Sequence, residues 1–245
     1  MKFKGTKISK RTIALFAAAF VLLVSGGAMG TNAALNITGV PYEEAIQTDK
    51  LEVQITENGK EIGTKDPITI ETKGTIFTEV PEKFEPGKTY DAKVGVKNTG
   101  SADEYVRVVV HKYWLKETEE GTKVKSLALS PSYIEPIATS KWNAVPGASG
   151  DEETETTIYY YQGKLGANSD PVDLFAGIRI NEEVLTNGRV KTEESTQDGI
   201  TVINYIYEYD GLTFVVEAEA QGVQTHNAKL AIKSVWGVDP SVVGL

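Results

Sequence analysis

The chain has 245 residues, no cysteine, and 34 acidic against 25 basic side chains. Residues 1–33 hold five of the basic residues and no acidic one, so the remaining 212 residues carry a formal charge of −14. Such a surface repels nucleic acid and anionic lipid. The lack of thiols excludes a disulfide framework, a thiol nucleophile, a Cys-zinc site and a lipoprotein anchor.

The chain begins with Lys2, Lys4, Lys7, Lys10 and Arg11, followed by an apolar run over residues 12–24 that Ser25, Gly26 and Gly27 end. Small residues lead from there to Thr31, Asn32, Ala33 and Ala34. A basic stretch, a short apolar stretch and a small-residue cleavage site are the order of a secretory signal peptide. The apolar run of 13 residues is short of the ~20 that span a hydrocarbon core. It reads as an address, with a retained membrane anchor as the alternative. Ser9-Lys10-Arg11 only echoes a twin-arginine signal, so general secretion is expected. The domains are then a signal peptide over 1–33 and one β-sandwich domain over 34–245.

Strands are expected at 51–56 and 68–72. Over 89–98, Tyr90, Ala92, Val94 and Val96 alternate with Asp91, Lys93 and Lys97, which is a strand with one wet face. Turn residues Asn98, Thr99, Gly100 and Ser101 follow, then a β-branched and aromatic run over 105–115, so the two runs read as a hairpin. Further strands are expected at 157–162, 174–180, 200–209 and 212–220. Asp210-Gly211 between the last two predicts a second hairpin. The polar stretches 116–125 and 144–157 read as long loops.

A helix is expected over 226–236, with Ala228, Ala231, Ile232, Val235 and Trp236 docking on the sandwich, Thr225 capping its start and Gly237 ending it. The fold class is all-β, a jelly-roll-like antiparallel β-sandwich with long loops and one C-terminal α-helix.

The residues that carry chemistry are sparse. His111 and His226 are the only histidines, and neither stands in a His-Glu-x-x-His setting. Their expected roles are a hydrogen-bonded strand residue and a residue of a first helical turn. The acidic runs Glu117, Glu119, Glu120 and Asp151, Glu152, Glu153, Glu155 lack the ligand alternation of an EF-hand loop and read as solvated loops. Glu182-Glu183 and Glu193-Glu194 read as loop or edge. There is no Gly-x-Ser-x-Gly elbow and no phosphate-binding Gly loop, so no catalytic residue, metal ligand or cofactor is assigned and the chain is read as not an enzyme. Tyr205, Tyr207 and Tyr209 alternate as a packed sheet face does; Tyr159, Tyr160 and Tyr161 either pack or meet a partner.

The leader from Lys7-Ile8-Ser9-Lys10-Arg11 through Gly26-Gly27 to Thr31-Asn32-Ala33-Ala34-Leu35-Asn36 resembles the signal class cut by the SipW signal peptidase. It is similar to the start of the TasA and camelysin family of biofilm-matrix proteins, with Leu35 in place of an aromatic residue. Pro86-Gly87-Lys88, Tyr90, and the run from Val94 to Gly100 resemble a strand and turn of that family. Tyr105-Val106-Arg107-Val108, Leu129-Ser130-Pro131, and the run from Thr225 through Ala231-Ile232-Lys233 to Trp236-Gly237 resemble a less characterised branch of the SipW-dependent exported proteins.

The resemblance implies cleavage between Ala33 and Ala34, a jelly-roll subunit in the extracellular matrix or at the cell surface, and partners limited to a SipW-like signal peptidase and further copies of the chain. No nucleic acid and no stable membrane span after cleavage are expected. It also implies fibres built by β-strand addition, with Leu35, Ile37 and Val40 as the candidate donor strand. The bland alternative for that segment is the subunit's own first strand or a frayed tail. The alternative function is a monomeric cell-surface adhesion or ligand-binding β-sandwich, using the acidic stretches around Glu119 and Glu152.

Overall fold

The computed structural model describes residues 50–65, 71–81, 83–147, 155–186, 190–197 and 200–245. The expected cleavage residues Ala33 and Ala34, the donor residues Leu35, Ile37 and Val40, part of the 68–72 strand, and Asp151 to Glu153 lie outside them. Among the described residues the chain is an all-β sandwich with one α-helix near its C-terminus.

The first sheet holds β1 (Val53–Glu57), β2 (Lys60–Ile62), β5 (Thr89–Asn98), β8 (Ile134–Ala138) and β11 (Val172–Ile180), in the order β2-β1-β5-β11-β8. The second holds β3 (Thr64–Lys65), β4 (Glu71–Ile76), β6 (Glu104–Glu117), β7 (Lys123–Ser126), β9 (Trp142–Pro146), β10 (Thr156–Tyr161) and β14 (Leu212–Gln224). Its order is β3-β4-β14-β6-β10-β9, with β7 also paired to β6. A separate ribbon pairs β12 (Val190–Gln197) with β13 (Ile200–Tyr207).

The major strands β1, β4, β5, β6, β8, β10, β11 and β14 alternate strictly between the two sheets. Every connection among them therefore crosses the sandwich, as in a jelly roll. This overturns the hairpin expected from 89–98 and 105–115, since β5 and β6 face each other across the core. The turn residues build an arch instead. Asn98 is buried; its Oδ1 accepts from Gly100 N at 2.8 Å, while its Nδ2 donates to the carbonyls of Ala102 (2.8 Å) and Leu165 (3.0 Å).

The second expected hairpin is also corrected. Asp210 and Gly211 do make a tight turn, with Asp210 Oδ2 accepting from Tyr207 N at 2.8 Å and Gly211 at φ 75°. However, both edges of β14 are taken by β4 and β6, and β13 pairs with β12. The 116–125 and 144–157 stretches are not continuous loops, because β7, the end of β9 and the start of β10 fall in them.

Between the sheets, Ala92, Val94 and Val96 of β5 meet Val106, Val108, Val110 and Trp114 of β6, as the period of two requires. Val216, Ala218 and Ala220 of β14 and Leu174, Phe175, Ile178 and Ile180 of β11 complete this core. The near-continuous apolar run of β6 has a separate cause. Its other face carries Tyr105, which joins a second core beneath the helix α1 (Ala228–Trp236).

That second core packs Ala228, Ile232 and Trp236 on Tyr105, Tyr160 and Val223, with Arg107 stacked 5.3 Å from the Trp236 ring. Gly237 ends the helix in the left-handed region at φ 69°, as expected. The start differs: Asn227 is the N-cap, itself left-handed at φ 52°, and no side chain caps it, so Thr225 does not. Val235, expected in the docked stripe, is exposed. The tyrosine trio packs: Tyr159 on Phe175, Tyr160 on Trp236 and Tyr161 on Trp142.

Candidate assembly site

The described chain joins the fold at residues 50–52, against the β5–β6 arch. Lys50 N donates to Ser101 Oγ, Ser101 N to Lys50 O and Thr99 N to Glu52 O, each at 2.8 Å. A side chain at Gly100 would overlap the Lys50 carbonyl, so a residue without Cβ is needed for the two segments to lie this close. Glu52 sits between the ammonium groups of Lys50 and Lys65, whose hydrogen bonds hold its carboxyl down at about 2.

Just inside this end lies Glu104, the first residue of β6. It shares the core-facing parity of Val106, Val108 and Val110, is fully buried, and neither carboxylate oxygen has a hydrogen-bond partner among the described residues. Burial, with the Glu52 charge adding to it, pushes its carboxyl up to about 8. It fits because β14 places Gly222, the partner of Val106, diagonally across from it: a methyl there would overlap Glu104 Oε2. We therefore expect Gly222→Ala to destabilise the fold by about 1–3 kcal/mol. Thermal melts should show much of that loss removed when Glu104→Ala is added, and simple additivity of the two changes would refute the contact.

On the outer face at the same end, an open groove of about 480 Å³ runs between α1 and β14, lined in part by Leu51, Val223, Leu230, Ala231 and Val235. Leu230 and Val235 are 67% and 63% exposed, so among the described residues nothing covers these two apolar side chains of the helix. A groove of this make-up can seat apolar side chains of an extended segment through area burial, with backbone polar groups left at its rim.

The remaining sequence candidates are scattered. His111 Nδ1 is 2.9 Å from Thr156 Oγ1 within the second sheet, and His226 is exposed just before α1 rather than in its first turn. Glu117, Glu119 and Glu120 are exposed, and Glu155 pairs with Lys125 at 2.6 Å. Glu182 and Glu183 begin a short 3-10 turn, and Glu193 and Glu194 lie within β12, which is a strand. Among the described residues no group of three or more His, Asp or Glu is placed to hold a metal ion, and no helix is long and apolar enough to cross a membrane.

Two features escaped the sequence reading. Glu104 could have been found from its parity with the apolar run that follows it. The β12–β13 ribbon is signalled by a second Asp-Gly pair, Asp198-Gly199, between Gln197 and Ile200, which pair in register. No protein-family profile, curated protein or solved structure matches the chain.

Proposed function

We propose that the protein is an exported structural subunit of a bacterial extracellular matrix, of the TasA and camelysin kind, that polymerises by lending its N-terminal segment to a neighbour. The leader and its Thr31 to Asn36 junction carry this reading, because a basic, apolar and small-residue order is an export signal and cleavage after Ala33 would free a new N-terminus. The segment so freed bears Leu35, Ile37 and Val40 and precedes the point where Lys50 is pinned to the arch.

Two further features support the reading. Val53 and Ile55 of β1, the first strand among the described residues, are already buried in the core. The apolar groove with Leu51 at its wall lies beside the point where the segment joins the fold, and gives apolar side chains of a neighbour's segment a place to be buried.

The test is electron microscopy of purified chains beginning at Ala34 and at Lys50. Filaments are expected from the first and not from the second, while circular dichroism shows the same β content in both. Filaments from both chains, or from neither at high concentration with seeding, would overturn the proposal. N-terminal sequencing of the secreted product should read Ala34-Leu35-Asn36.

A further inference from the structure

The β12–β13 ribbon stands apart from both sheets. Among the described residues β13 pairs only with β12, so its other edge presents unpaired backbone N–H and C=O groups. The strand is apolar on both faces. Ile200, Val202 and Ile206 lie on one face, and Ile203, Tyr205 and Tyr207 on the other. Seven of its eight residues are exposed, Ile200 at 67% and Tyr205 at 61%, so the alternating tyrosines do not form the packed face expected of them. Only Tyr209, beyond the strand, packs inward, 5.7 Å from Phe84, with Tyr207 stacked on it at 5.2 Å.

A two-stranded ribbon is marginal in water, and one whose β13 half is apolar and wet on both faces is the arrangement that a third and fourth strand would relieve. The other sheet edges are guarded in the ways that prevent pairing between molecules. β8 has Glu135 and Pro136, β9 is short and ends in Pro146, β7 is four residues long with Lys123 and Lys125, β2 is three residues long with Lys60 and Glu61, and β3 is two residues long. By contrast, β13 has no charge, no proline and no bulge over its eight residues.

Charge placement selects the partner. Lys191, Glu193 and Glu194 all lie on β12, the far side of the ribbon from the open edge. Two copies of a chain this acidic repel over most of their surfaces, but two β13 edges can meet with no charge at the seam.

We propose that β13 is a self-association edge: two copies pair β13 antiparallel about a two-fold axis perpendicular to the ribbon, giving a four-stranded sheet β12-β13-β13-β12. The eight residues give a seam of about 27 Å. A perpendicular two-fold keeps each face on its own side, so Ile200, Val202 and Ile206 of both copies form one apolar surface and Ile203, Tyr205 and Tyr207 the other. The interface is isologous and closes at two copies. It is separate from strand exchange through the N-terminal segment and does not depend on it.

The chain's lack of cysteine makes the test clean. In the chain beginning at Ala34, a single cysteine is placed in turn by Val202→Cys, Ile203→Cys, Asn204→Cys and Tyr205→Cys, with Glu193→Cys on β12 as control. Mild oxidation should link copies at one or two β13 positions, those nearest the axis, and not at position 193. Sedimentation should show a monomer–dimer equilibrium whose dissociation constant rises at least ~10-fold in Ile203→Lys/Tyr205→Lys, two exposed sites where lysine leaves the fold intact by circular dichroism.

Equal cross-linking at all five positions, or a monomer at every concentration with none, overturns the proposal. So does association that the lysine pair leaves unchanged. Loss of filaments on removing residues 34–49 while the position-selective disulfide persists supports the ribbon contact as a second surface. Failure of filaments in every chain, with the disulfide intact, refutes only the strand-donor reading.

Discussion

Replacing Trp114 by alanine is expected to remove about 3–5 kcal/mol of folding stability, the range for deleting a fully buried large aromatic side chain. Trp114 is fully buried in the last third of β6 and belongs to an aromatic cluster, 5.8 Å from Phe84 and 6.5 Å from Phe214 between ring centroids. Its Nε1–H donates to the Ser130 carbonyl at 3.1 Å, tying β6 to the 3-10 turn Pro131–Tyr133. Alanine loses the transferred area, leaves a cavity that two sheets cannot both collapse to fill, and frees the Ser130 link. Phenylalanine keeps most of the ring contacts and should lose less, about 1–2 kcal/mol. Urea unfolding followed by far-UV circular dichroism checks both, read as midpoint shifts at unchanged slope. A loss below about 1 kcal/mol for alanine would show that the aromatic cluster is not the centre of the core.

The second large effect is a dependence of stability on pH set by Glu104. In the folded chain its carboxyl is pushed up to about 8 by burial first and by the Glu52 charge second, against an ordinary value of 4.5. Between those values the folded state holds a proton that the unfolded chain has released. The stabilisation is therefore complete below about 4.5 and is lost as pH rises toward 8. At ~1.4 kcal/mol per unit, and with the slope reduced at both ends of the range, the loss between pH 5 and pH 8 is about 3 kcal/mol.

Glu52 behaves with the opposite sign: its lowered carboxyl contributes above about 4.5 and loses that contribution as pH falls toward 2. Together the pair places the stability maximum on the acid side of neutral. Unfolding free energies at pH 5, 6.5 and 8 should fall steadily in the natural chain and much less steeply in Glu104→Gln, where the buried Glu57 carboxyl, also raised by desolvation, still adds a slope of the same sign. Equal slopes in the two proteins would refute the assignment.

Much of this fold is legible in the sequence. The alternation over Tyr90 to Val96 predicts which face of β5 is buried, and the four-residue spacing of Ala228, Ile232 and Trp236 predicts the docked side of α1. Strand pairing is less legible, since turn chemistry specifies how tightly the chain bends and not which neighbours the strands find. Asn98 to Ser101 serve an arch as well as they would a hairpin. Asp210-Gly211 turns the chain between two strands whose partners lie elsewhere.

Val235 and the strand Ile200–Tyr207 mark a different limit: a local pattern shows that a face is apolar, while its burial depends on whether the rest of the chain supplies a cover. The donor residues Leu35, Ile37 and Val40 rest on the leader resemblance alone. Glu104 is hidden for another reason, because a carboxylate at the head of an apolar run reads as the polar edge of a strand until Gly222, 118 positions along, is seen to make room for it.

The strict alternation of strands between the two sheets has a kinetic consequence. Val216 pairs with Ile76 and Gln224 with Glu104, so the strand central to the second sheet is the last to be made. A chain emerging N-terminus first holds β4 and β6 side by side only once β14 arrives to lie between them. Such high contact order belongs to the slow end of folding, milliseconds to seconds. The second sheet therefore lacks its central strand until residues 212–224 have been made, and until then the edges of β4 and β6 that β14 will fill stay open.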